Sequence, residues 1–309
     1  MLGLGTSVNR GGFVSAADPL LLDTYSGAAA AFSLRKLSST YSGPALQIRR
    51  ASDNVEVDVS FDTNGVVSLN SLVTNVTEET SGTSPDPDST SATTLGEFVA
   101  NASYTDADSL GSTDSALVQC WYDQSGNSKD ATQDTAGSQP TIVSSGVLVT
   151  ENGKPAVEFD ASNDTMVSSF SSSSNYSVFQ VFAQLQILTS GNLFSTIDYG
   201  TSGAKSGFQV RSSQYFVRGN GGNFGSQDLN QNLIEVTHDS GQFDCVKNGT
   251  SIASASSTLV AIDGVTINRL IGSARYASGK WQELIVYPSS QSSNRTDIES
   301  NINTFYSIF

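Results

Sequence analysis

Val118-Gln119-Cys120-Trp121-Tyr122-Asp123-Gln124-Ser125-Gly126-Asn127-Ser128-Lys129-Asp130-Ala131-Thr132-Gln133 is the stretch whose reading decides the fold. Leu117, Val118, Trp121 and Tyr122 make an apolar and aromatic strand core that runs directly into Asp123-Gln124-Ser125-Gly126-Asn127, residues that favour turns and tolerate left-handed backbone. A buried strand therefore ends in a polar loop. In a β-sandwich such a loop is where ligand-facing side chains collect, because the sheet fixes its base while the loop itself varies freely.

Upstream, the hydrophobic period is two. Leu46 and Ile48 alternate with Gln47 and Arg49; after a Ser52-Asp53-Asn54 turn, Val55, Val57, Val59 and Phe61 alternate with Glu56, Asp58 and Ser60. That pattern predicts a hairpin with one buried face. Val66, Val67, Leu69 and Leu72 continue as a short strand or turn, and Leu95–Val99 starts a short helix. Downstream, strands are expected over Ala156–Phe159, Ser177–Leu188, Leu193–Ile197, Gly207–Val210, Tyr215–Val217, Leu233–Thr237, Phe243–Val246 and Trp281–Tyr287, at the spacing of a sandwich. Between Phe243 and Ile252, Asn248-Gly249 supplies the positive φ that a two-residue hairpin turn needs at both positions. Thr24 or Ser26 is expected to cap a helix through Ala28–Ala31, Phe32, Leu34 and Leu37, with Arg35 and Lys36 near the negative end of its dipole. A closing helix is expected over Ser293–Phe305, where Ile298, Ile302 and Phe305 share one face.

The resulting expectation is an all-β, antiparallel β-sandwich over residues 20–309, with an N-terminal arm and helix and a C-terminal helix. Residues 1–19 are Gly-rich and without periodicity. Such an arm is either disordered or laid against a neighbouring subunit; the second is favoured because Leu2, Leu4, Val8 and Phe13 would otherwise face water. Residues 77–94 are low-complexity and carry nothing to form a core, so an exposed loop is expected there.

Charge excludes several function classes. Fifteen Lys and Arg stand against 30 Asp and Glu, a formal net charge of −15, so the basic footprint that nucleic-acid binding needs is missing. No apolar run approaches the ~20 residues that span a bilayer, and Met1–Val14 lacks the basic start and apolar core of a signal peptide. Cys120 and Cys245 lie far apart in strand-like runs and are expected to be free and buried. Residues 51–116 hold twelve acids and no Lys or Arg, which leaves an irregular Ca²⁺ site open there; no other cofactor is expected. Asp106-Ala107-Asp108 begins like a calcium loop, but Leu110 and Leu117 stand where oxygen ligands are required.

The same words carry a resemblance. W-Y-D-Q-S-G-N-S-K-D-A-T-Q, followed by Lys154–Asp164 (K-P-A-V-E-F-D-A-S-N-D), resembles the opening half of concanavalin-A-like (laminin-G-like) jelly-roll sandwiches. Leu22–Leu37 and Gly43–Asn54 resemble the start of the catalytic domain of α-L-arabinofuranosidase B, and the combination, with the opening Met1-Leu2-Gly3-Leu4-Gly5, is similar to structural proteins of tailed bacteriophages. This resemblance implies a virion component, a capsid decoration protein or part of a tail fibre, made in the host cytoplasm. It would dock to other virion proteins through the arm, assemble as a homo-oligomer and meet host surface glycans at its loops. The alternative it implies is an arabinofuranosidase-like glycoside hydrolase. Those enzymes carry two adjacent sugar-contacting cysteines and a nucleophilic Glu in a Met-Glu-Ala segment, and this sequence has neither.

A glycosidase needs two carboxyl groups flanking the scissile bond, for which Asp123, Glu158, Asp160, Asp198, Asp244 and Glu283 are the candidates. His238 is the only histidine, which rules out a histidine-built zinc site and leaves a serine triad with little support. Glycan binding needs an aromatic platform beside amide and carboxylate groups. Trp121 with Asp123, Gln124 and Asn127 has that composition, although Trp121, placed within a strand, is equally a core residue.

Overall fold

The computed structural model describes residues 19–77, 92–100, 114–189, 194–201, 206–218, 223–256, 261–273 and 275–309. The arm residues Leu2, Leu4, Val8 and Phe13, the segment 78–91 and the calcium-like segment at Asp106 lie outside the described residues.

Tyr176–Gln184 is the central strand of one layer. It pairs with Gln231–Asp239 on one side and Gly279–Tyr287 on the other, and Gln242–Lys247 and Thr250–Ser256 extend that layer outward. The far side of Gly279–Tyr287 takes Ala30–Ser33 and then Val157–Phe159. The facing layer runs from Gln214–Arg218 through Gly207–Arg211, Phe194–Asp198, Ile262–Ile267 and Met166–Ser173. It continues through Ala131–Thr132 to Ala116–Trp121, Leu46–Arg50, Glu56–Val59 and Val73–Thr77. All of these ladders are antiparallel, and the fold is an all-β sandwich.

Alternation along the strands builds two cores. Val178, Phe182, Ile234, Val236, Leu284 and Val286 meet Ile48, Val118, Trp121, Phe208, Val265 and Ile267 in the interior between layers. Residues one step along, Phe179, Val181, Leu233 and Ile285, face the other way and pack under Leu21, Ile298, Ile302 and Tyr306. The first of those belongs to helix α1 (Leu21–Thr24), the others to the C-terminal helix α3 (Arg295–Tyr306). Helix α2 (Leu95–Ala100) tucks Leu95, Phe98 and Val99 into the main core; Glu97 N donates to Thr94 Oγ1 at 3.2 Å and the Glu97 carboxylate accepts from Thr94 N at 3.3 Å, a reciprocal N-terminal cap.

The hairpin over 46–59 forms as its period requires, with Leu46 opposite Val59 and Ile48 opposite Val57. Asn248 and Gly249 hold φ of 50° and 72°, both left-handed, as the turn demands. The expected helix through Ala28–Leu37 is corrected: Ala30–Ser33 is a strand, paired from Ala30↔Val286 to Ser33↔Glu283, and the helix is confined to Leu21–Thr24. Ala30 and Phe32 enter the inter-layer core while Ala31 enters the helix-side core. A strand covered on both faces shows an unbroken apolar run in place of alternation. The helix preference of alanine, tenths of a kcal/mol per residue, yields to a ladder and full burial.

Candidate functional site

The loop after Ala116–Trp121 is stitched to the segment 28–37 by its own side chains. Asp123 Oδ1 accepts from Ala31 N and Ser125 N, both at 2.8 Å, and Oδ2 from Ser125 Oγ at 2.7 Å and Lys129 N at 3.0 Å. Gln124 behaves like an added peptide unit: its Oε1 accepts from Leu37 N at 2.8 Å, and its Nε2 donates to Ser33 O and Arg35 O, each at 3.0 Å. Asn127 Nδ2 donates to Ala28 O at 2.8 Å. Gly126, at φ +88°, turns the loop where a side chain would be strained.

Trp121 is fully buried with its ring against Phe32, 6.2 Å between centroids. The structure thus brings Asp123, Gln124 and Asn127 together in one loop but places Trp121 in the core beneath it. Asp123 and Gln124 are only 3% and 2% exposed, and the bonds above tie them to the backbone of segment 28–37 and to their own loop.

Above this loop lies a cup of about 350 Å³, at the low end of small-molecule sites, roughly 300–1,000 Å³. One wall is Gln124-Ser125-Gly126; the other comes from Ser26, Gly27 and the Ser38–Gly43 segment. Its polar groups are hydroxyls of Ser26, Ser38, Thr40, Tyr41, Ser42 and Ser125 with the Gln124 amide, and among the described residues no charged side chain lines it. Ser38 Oγ and Thr40 Oγ1 are 2.9 Å apart, and Tyr41 OH donates to Pro44 O at 2.7 Å, which fixes the half-buried Tyr41 ring at the rim. Burial, and then the fields of Asp130 and Asp123, push the Tyr41 phenol far above its ordinary value, so it remains a neutral donor. Asp130 is itself raised by burial; the Asp123 N–H that it accepts at 2.8 Å opposes the shift, and the Asp123 charge adds a smaller upward push. Sequence reading missed Tyr41 and this cup. The signal available was the hydroxyl-rich run Ser38-Ser39-Thr40-Tyr41-Ser42-Gly43.

The carboxylate candidates occupy other parts of the fold. Glu283 is buried against Arg35, Nε to Oε2 2.7 Å and Nη2 to Oε1 3.0 Å, with the guanidinium over the Phe305 ring. Asp198 is buried and accepts from Gln209 Nε2 and Ile271 N. Asp160 caps a turn through Ser162 N and Asn163 N; its neighbour Asp164, buried in that turn, is pushed up to about 6 by burial, against the hydrogen bond from Asp160 N and with the charges of Asp160 and Glu158 adding. Glu158 is half-buried opposite Lys280, and Asp244 is exposed on the outer face of its hairpin. His238 Nδ1 lies 2.6 Å from Ser174 O, a bond to the backbone and not to a serine hydroxyl. Cys120 and Cys245 are buried and unbridged, and burial raises both thiols. Among the described residues no group of three or more His, Cys, Asp or Glu is placed to hold a metal.

The fold is that of the arabinofuranosidase-type sandwich. An arabinofuranosidase solved with arabinofuranosyl-α-1,2-xylobiose superposes over 91% of this chain with a TM-score of 0.62 at 14% identity. A family-54 α-L-arabinofuranosidase soaked with a cyclic sulfate inhibitor does so over 91% at 0.61, also at 14% identity. In both cases the chain spans 64% of the length of the enzyme's own chain. No family model matches the sequence, and no curated protein matches it as a sequence relative.

Proposed function

We propose that this chain is a glycan-binding sandwich that serves as a structural component of a bacteriophage particle, as capsid decoration or part of a tail fibre. It would assemble as a homo-oligomer docked to other virion proteins. The observation that carries the binding role is the uncharged, hydroxyl-lined cup with Tyr41 at its rim. A sugar ring presents C–H groups that stack on an aromatic face and hydroxyls that exchange hydrogen bonds with serine and threonine. The cup would bind without cleaving, since hydrolysis requires two carboxyl groups flanking the bond and no acid lines it among the described residues. The virion role is supported by the combined resemblance of Met1–Gly5, Leu22–Leu37, Gly43–Asn54 and Trp121–Gln133 to phage structural proteins.

A glycan array with the purified chain tests the binding role. Specific binding is expected, weakened about tenfold by Tyr41→Ala, the equivalent of 1.4 kcal/mol, with thermal stability retained. No binding over a broad array, or equal binding by Tyr41→Ala, would overturn it. Antiserum that fails to label intact particles of the encoding phage would overturn the virion role. The fold likeness to arabinofuranosidases supports a second reading, a hydrolase; release of a chromogenic arabinofuranoside, lost in Asp164→Asn, would establish it in place of the first.

A further inference from the structure

On the face of the sandwich covered by α3, a second and smaller cavity of about 180 Å³ opens beneath the N-terminal turn of that helix. At its base is Glu235, on the strand Gln231–Asp239. The residue is 1% exposed, and although Thr237 Oγ1 donates to its Oε1 at 2.6 Å, its Oε2 has no hydrogen-bond partner. A buried carboxylate oxygen without a donor is costly. The neighbouring strand sets Val246 opposite Glu235 and Asp244 opposite Thr237, so Asp244 lies diagonally across from Glu235 on the same face and also lines the cavity. From the other side, Phe179 and Ser177 stand opposite Glu235 and Thr237. Ser177 Oγ, 2.7 Å from Thr237 Oγ1, accepts from Gln291 N. That ordered chain leaves the Thr237 proton committed to Glu235. From α3 come Glu299 and Arg295, but Arg295 Nη1 is taken by both Glu299 oxygens at 3.2 and 3.1 Å, and its Nε stays 3.9 Å from Glu235 Oε2. Glu235 and Glu299 thus share the Arg295 guanidinium, and Asp244 adds a third carboxyl group to the cavity wall.

We propose that this cavity is a binding site for a primary alkylammonium group, of the kind a lysine side chain carries, with Glu235 Oε2 and Asp244 as its acceptors. An ammonium offers three donors, which the two carboxylates and the hydroxyl of Ser251 or Ser292 at the cavity wall can receive. It also supplies the missing positive charge. Ca²⁺ is a poorer match, since it takes six to eight oxygen ligands. The volume lies below that of small-molecule sites, about 300 Å³ and upward, and suits a side-chain head group.

The test is thermal unfolding of the full chain at pH 8 with ethylammonium chloride, against sodium chloride and tetramethylammonium chloride at equal ionic strength. A saturable rise in Tm is expected with ethylammonium alone, because tetramethylammonium has the charge but no N–H donor. The rise is expected to vanish in Glu235→Gln and to shrink in Asp244→Asn, an exposed position whose change spares the fold. Because Glu235 takes up its proton below about 7, the apparent dissociation constant should be roughly thirtyfold weaker at pH 5.5 than at 8.5. Nα-acetyl-lysine amide binding at least as well as ethylammonium identifies a lysine side chain as the ligand; weaker binding identifies a free amine. Equal shifts with all three salts, or an undiminished ethylammonium shift in Glu235→Gln, would overturn the proposal.

Discussion

Replacing Glu235 by Gln should stabilise this protein at neutral pH and do almost nothing in acid. Burial is the main cause that pushes the Glu235 carboxyl from 4.5 up to about 7; the Thr237 hydrogen bond and Arg295 oppose it, while Glu299 and Asp244 add to it. The folded state therefore holds the proton more tightly than the unfolded chain does. Below pH 4.5 both states are protonated and the group's contribution is fully present; as pH rises through 4.5 to about 7 the unfolded chain ionises first, and stability is lost over that window. A gap from 4.5 to about 7, at ~1.4 kcal/mol per pH unit, comes to about 3 kcal/mol. Gln keeps the shape and cannot ionise, so the advantage of Glu235→Gln over the parent should grow by that order between pH 4.5 and pH 8. Urea denaturation of both proteins at a series of pH values measures it. The difference between them, and not either curve alone, isolates Glu235 from the other 29 acids, since the chain has 30 in all. A difference that is flat with pH, or that shrinks as pH rises, would refute the reasoning.

Two further outcomes follow from the buried polar contacts. Glu283→Gln leaves the Arg35 guanidinium without its counter-charge under α3, and breaking a buried pair from one side costs about 3–5 kcal/mol; a loss under about 1 kcal/mol by chemical denaturation would show that the pair is not what anchors the helix. Asp123→Ala removes the acceptor of bonds from Ala31 N, Ser125 N, Ser125 Oγ and Lys129 N, each worth roughly 1.5–3 kcal/mol when made to a charged group. It should destabilise the chain by at least ~3 kcal/mol and speed amide exchange at Ala31 and Lys129, and unchanged exchange at both would contradict the stitching role.

Local signals that repeat along the backbone were readable from the chain alone. Alternation over Leu46–Arg49 and Val55–Phe61, the Asn248-Gly249 turn and the one-sided face of Ile298 and Ile302 each encode their element within a few residues, and each forms as expected. The stretch Val118–Gln133 likewise marked a buried strand ending in a polar loop. The Ala28–Leu37 segment misled because its strand is buried on both faces, and burial on both faces erases the period by which strand and helix are told apart.

The side chains' roles were decided in three dimensions. Asp123, Gln124 and Asn127 look alike on paper whether they reach for a sugar or for backbone; only the approach of residues 28–37, some ninety positions away, turned them inward. Trp121 was core or platform until Phe32 closed over it. Glu235 gave no local sign at all, because its raised carboxyl arises from α3 and a neighbouring strand brought against it from distant parts of the chain. Patterning of apolar residues is a property of neighbours in sequence and fixes elements and their buried faces. Hydrogen-bond partners, local charge and cavities are properties of neighbours in space, and they exist only once the layers and α3 have packed.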